Sequence, residues 1–160
     1  MATNTTLQYL EGTGEDAFGN SVSLGTKLSN RRQVETFISK GVIAAGAPVG
    51  FDFSLPVTDG DLTLEIVQSD SSGGLQVHCV GVALNAAAAA GEKVTVCVSG
   101  VCEAVVDHGV GQGDRLRVSN PAGTFATYAH SDNLPIIAYA VDENNSGSAA
   151  ARTVIVIKQF

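Results

Sequence analysis

No apolar run in this sequence approaches the roughly 20 residues that a membrane span requires. The opening MATNTTLQYL lacks the basic start and apolar stretch of a secretory signal. These two absences lead us to expect a soluble protein made in a cytoplasm. Basic residues are scarce: beyond Arg31-Arg32 no cluster exists, and a net charge of -7 with a pI near 4.7 disfavours non-specific attraction to nucleic acid. Aromatics make up only 6% of the residues, while 18 glycines interrupt the chain, which favours turns and short strands over long helices. The three cysteines are an odd number in a chain too long to need stapling, so a secreted disulfide framework fits poorly.

The usual signatures of catalysis and metal binding are missing as well. There is no Gly-x-Ser-x-Gly elbow. The cysteines lie among valines in an acidic chain, whereas a thiolate nucleophile wants an electropositive, partly exposed setting. His78, Cys79, Cys97, Cys102, His108 and His130 invite a metal reading, but no two ligand pairs stand at zinc-like spacing. Gly109-Val110-Gly111-Gln112-Gly113 is followed by a strand-like segment rather than a helix, so it cannot aim a helix N-terminus at phosphate. Asp59, Asp61, Glu65 and Asp70 miss the EF-hand spacing. The expectation is a non-enzyme with no cofactor, no metal, no nucleic-acid partner and no membrane.

What the chain does contain is alternation. Val80, Val82 and Leu84 alternate with Gly81 and Ala83, and Val94, Val96 and Val98 form a second run after the alanine-rich link. Ser99-Gly100 reads as a two-residue hairpin turn, with Val101–Val106 returning. In that register Cys97 and Cys102 would face each other across the hairpin, with Cα atoms about 4.5–5.5 Å apart, inside disulfide reach. Reduced, buried cysteines are the simpler state for freshly made protein.

A second copy of this pattern closes the chain. Val80–Asn85 lines up with Ile137–Asp142, and Val94–Val98 with Val154–Lys158. Upstream, Lys40-Gly41-Val42 lines up with His108-Gly109-Val110, and Gly46 with Gly113. We therefore expect an all-β, compact sandwich or barrel-like body over residues 34–160, built from two related modules at roughly 34–99 and 101–158. Further strands are expected over Val34–Ile38, Val49–Phe53, Leu62–Val67, Arg115–Val118, Thr124–Ala129, Leu134–Val141 and Val154–Phe160. At most a helical turn or two is expected within Ala86–Ala90 and Glu143–Ala151.

Residues 1–33 read differently. They are rich in Thr, Gly, Asn and Ser, hold no period for long, and cannot bury much surface alone. They are expected to form an extended arm in which Leu7, Tyr9, Leu10 and Phe18 are apolar anchors and Arg31 and Arg32 stand at its base.

The run Gly113-Asp114-Arg115-Leu116-Arg117-Val118, the turn Asn120–Gly123, the strand Ile137–Val141 and the final Val154–Ile157 resemble the head decoration, or capsid cement, proteins of tailed bacteriophages. Val80-Gly81-Val82-Ala83-Leu84 carries the middle of that pattern more clearly, while Gly46-Ala47-Pro48 departs from it by lacking the Asp. The resemblance implies a virion protein on the outer capsid surface, assembled in the host cytoplasm. It would bind and stabilise the major capsid protein lattice, commonly as a homotrimer. A tail, fibre or neck component, or a β-barrel binding module or small hydrolase, are the alternatives.

Overall fold

The computed structural model describes residues 32–52, 65–71, 78–120, 122–130 and 135–158. These residues form nine strands and, among them, no helix: β1 (Arg32–Ser39), β2 (Pro48–Phe51), β3 (Glu65–Gln68), β4 (Cys79–Ala83), β5 (Lys93–Val106), β6 (Arg115–Val118), β7 (Phe125–Thr127), β8 (Ala138–Ala140) and β9 (Ala150–Val156). The all-β class follows from the alternation of valines and small residues, which suits a pleated surface with one buried side.

The strands close into two rings that share one strand. In the first ring β1 pairs with β3, β3 with β2, β2 with β4, β4 with β5, and β5 returns to β1. In the second β5 pairs with β7, β7 with β6, β6 with β8, β8 with β9, and β9 returns to β5. The first pairing is parallel in each ring and the other four are antiparallel. Closing a small ring removes the exposed edges that would otherwise invite further strands, and leaves an interior just wide enough for side chains.

The hydrogen bonds outside the strands repeat between rings. Ile43 bridges Ala87, and Val110 bridges Asn144. Gly46 N–H donates to the Ala83 carbonyl at 2.8 Å, and Gly113 N–H to that of Ala140 at 2.9 Å. Leu84 N–H donates to Thr95 O, and Val141 N–H to Thr153 O. Both glycines take a positive φ, 78° and 83°, which only a residue without Cβ adopts freely. By these contacts Gly46 matches Gly113 and Ala83 matches Ala140. Thr95, however, matches Thr153, so Val96 corresponds to Val154 and the alignment expected for the last strand is two residues out.

Each ring has its own core. Ile43, Val49, Ile66, Val80, Val94, Val96 and Val98 fill the first, with Phe37 and Phe51 packed against it edge-to-face at 5.6 Å between ring centroids. Val106, Val110, Leu116, Val118, Phe125, Ile137, Val154 and Val156 fill the second. Burying such side chains away from water supplies about 1.5–3 kcal/mol each before the entropy of ordering is charged against it.

Three expectations are corrected here. Ser99-Gly100 makes no hairpin: β5 runs unbroken for 14 residues through both. Gly100, with φ at 100°, sits at an irregularity where β1 skips Val98, pairing Gln33 with Ser99 and Val34 with Cys97. A Ser-Gly pair supplies a positive φ that serves a bulge as well as a turn. The presence of β1 on one half of β5 and β9 on the other keeps the strand extended. The alanine run forms a bridge and a turn instead of helix, and Ala150-Ala151 already belong to β9. Among the described residues strand pairing already includes Arg32, two residues before the expected body boundary.

Candidate interaction surface

Where the two rings meet, the outer side of the first is buried against the second. Cys79, Val82 and Cys97 point away from the first core and belong to the second. Three backbone bonds fasten the junction: Val105 N–H to Gly46 O at 2.8 Å, Gly123 N–H to Ser69 O at 3.1 Å, and Ser71 N–H to Ser119 O at 3.3 Å. Within the first ring Gly81 lets β4 lie close to β5, because a Cβ there would collide with the Cys97 carbonyl oxygen.

The three cysteines line this junction as free thiols. Burial pushes the Cys79 thiol up to about 12. Cys97 and Cys102 lie on one strand rather than across a hairpin, yet their sulfurs meet in a hydrogen bond across the irregularity of β5 at Val98. That bond draws Cys97 below its ordinary value and, together with burial, raises Cys102. Cys97 also donates to the Ser99 carbonyl at 3.5 Å. A buried, neutral thiol is a small hydrophobe rather than a nucleophile.

Of the arm residues, Leu7, Tyr9, Leu10, Phe18 and Arg31 lie outside the described residues. Arg32 opens β1, exposed, opposite Gly100. It helps line a groove of about 610 Å³ between the rings, with Gly46, Leu84, Val101, Cys102 and Glu103. Among the described residues no three His, Cys, Asp or Glu side chains stand close enough to hold a metal. His78, His108 and His130 are all exposed.

The exposed surface carries one feature that reading the sequence did not single out. Arg115, Tyr139, Ile155 and Val101 stand side by side across β6, β8, β9 and β5. Tyr139 is 38% exposed and Ile155 43% exposed. In the sequence each is simply one position of an alternating strand. Only the register shows that they neighbour each other and face outward.

A closed β-body with exposed apolar side chains in a row has the makings of a binding surface. No curated protein matches the chain. The base of the head fiber gp8.5 of bacteriophage phi29, solved as its N-terminal part, shares the fold: TM-score 0.54 and 16% identity, over 79% of this chain and 94% of that one. Residues 30–157 match the family described as phage cement protein, a span that takes in all nine strands. The chain, a phage structural protein, belongs to the phage cement protein family.

Proposed function

We propose that this protein binds the outer surface of a phage capsid and stabilises the lattice of the major capsid protein, acting there as a homotrimer. The observation that carries this is the family match over both rings. The physical form suits the task. A cement protein must fill gaps between subunits, which calls for a body without free strand edges and with exposed apolar side chains. Tyr139, Ile155, Val34 and Val42 supply such side chains. Residues 1–31 are the proposed arm, with Leu7, Tyr9, Leu10 and Phe18 as anchors on the shell. Arg31 and Arg32 at its base would meet acidic capsid residues. The role is structural and not catalytic.

A fibre base on the capsid is the second reading, favoured by the likeness in fold to the phi29 head fiber base. The test is to add purified protein to expanded capsids lacking it and to measure occupancy and heat resistance of the shells. Saturable binding that raises the temperature of capsid disruption supports lattice stabilisation. Binding without a change in shell stability supports the fibre reading. Failure to bind capsids while binding tails overturns both.

A further inference from the structure

We propose that the Tyr139–Ile155 row is the docking site for a second copy of this chain, placed on the second ring as the second ring is placed on the first. The argument begins from two rows of paired residues. Pro48 pairs with Val82, Val82 with Cys97, and Cys97 with Val34. Arg115 pairs with Tyr139, Tyr139 with Ile155, and Ile155 with Val101. Each row crosses the corresponding four strands of its ring, so Val82 matches Tyr139 and Cys97 matches Ile155.

The two rows differ in what covers them. Val82 and Cys97 are fully buried because the second ring sits on them. Tyr139 and Ile155, the larger pair, face solvent. The molecule thus contains one occupied and one vacant version of the same face, and the occupant of the first is a unit of the same pairing pattern. The next such unit available to the vacant face is the first ring of another chain.

The presenting surface can be matched too. The second ring touches the first through Val105 and Ser119. Their counterparts on the first ring are Ile38 and Asp52, fixed by the pairings of Ser39 and Phe51 with Ile66 against those of Val106 and Val118 with Phe125. Ile38 and Asp52 are only half-buried. Tyr139–Ile155 on one chain against Ile38–Asp52 on the next makes a heterologous contact, which closes into a ring of subunits when the rotation allows and otherwise runs on as a filament. The inference rests on the proposed self-association, to which it adds the residues of contact, and is independent of capsid binding.

The test uses the full chain. Sedimentation of the wild type should show a closed oligomer. Tyr139→Glu with Ile155→Asp should leave monomer with an unchanged circular dichroism spectrum. Val42→Asp, at a more exposed apolar position away from the row, should leave the oligomer intact. With p-benzoylphenylalanine at position 139 and mixed ¹⁴N/¹⁵N chains, cross-links should join different chains and map near Ile38 and Asp52. A double variant that stays oligomeric removes the row from the contact while leaving self-association in place. A wild type that is monomeric in solution and on capsids removes self-association itself. Cross-links from position 139 to residues 1–31 or to capsid protein would give the face a different occupant and overturn the proposal, the capsid case leaving the cement reading standing.

Discussion

Val82 lies between Pro48 and Cys97 in the first ring as Tyr139 lies between Arg115 and Ile155 in the second, but only Val82 is covered. The difference has an energetic consequence within the molecule. The outer side of the first ring is a packing surface, so its residues are as sensitive to volume as an interior. The matching side of the second ring tolerates larger and more polar side chains.

Gly81→Ala tests how closely β4 and β5 pack within the first ring. The added methyl would meet the Cys97 carbonyl oxygen and the Val96 side chain, both held by β-ladder bonds. Overpacking of this kind costs about 1–3 kcal/mol. Gly147→Ala, where a Cβ meets nothing within 4 Å, should change stability by less than about 0.5 kcal/mol. Urea denaturation of the two variants, compared at equal m-value, checks both expectations.

Asn144 offers a second test, because the first ring has Ala87 at its place. Its Nδ2 donates to the carbonyls of Val106, Asp107 and Ser148 at 2.9–3.1 Å. Its Oδ1 accepts from Ser146 and from Arg152 Nη2. The side chain ties the loop before β9 to the end of β5. Asn144→Ala strands buried carbonyls, at a cost of about 1–3 kcal/mol. Asn144→Asp should be worse, since it turns a carboxylate oxygen toward those carbonyls. Thermal melting should rank them wild type, Ala, Asp.

Much of this fold could be read from alternation. The segment Arg115–Val118 and the inward sides of β8 and β9 announce themselves by period two, since every second residue is a Val, Leu or Ala. The alternation of Val80, Val82 and Leu84 misleads, because an irregularity in β4 puts Val80 in the first core and Val82 in the second. The course of the chain at Ser99-Gly100 could not be read. Its local chemistry permits a turn or a bulge, and the choice is made by β1 and β9, whose paired residues lie more than 50 positions away. The exposed row was hidden for the same reason: Tyr139 and Ile155 are neighbours only through register. Cys97 and Cys102 were expected to face each other across a hairpin, and the structure puts them on one strand instead. Their sulfurs meet across the irregularity of β5 at Val98.

Cys79 makes stability fall at high pH. Its thiol is held near 12 by burial, above the ordinary value of 9.0. From about pH 9 the unfolded chain loses the proton while the folded chain keeps it, so the unfolded state binds fewer protons and stability declines with pH. The contribution is complete below pH 9 and is lost as the pH rises toward 12, on the order of 4 kcal/mol at most. Cys79→Val, isosteric enough for its site, should flatten that part of the profile measured by denaturant midpoint from pH 8 to 11.

The free thiols can be counted directly. All three are buried, and Cys102 is raised by its hydrogen bond to Cys97 and by burial. In native buffer at pH 8 a disulfide-exchange reagent should therefore react at the rate of opening, not at the rate of an exposed thiol. In denaturant it should find three thiols. A count of one would show that Cys97 and Cys102 had oxidised.

Deleting residues 2–30 separates the arm from the body. Among the described residues, the strand pairings of both rings and both cores are made from Arg32 onward. The truncated chain should keep its circular dichroism spectrum and its denaturant midpoint. On the capsid the outcome should differ. Ordering an arm costs about 1 kcal/mol or more for each residue fixed. Such a segment contributes to binding only if Leu7, Tyr9, Leu10 and Phe18 find apolar sites and its backbone finds partners on the shell. If they do, occupancy of capsids by the truncated protein should drop at least tenfold at a concentration that saturates with the full chain. Equal occupancy would show that the two rings alone carry attachment, and would return the arm to the role of a solvated tail.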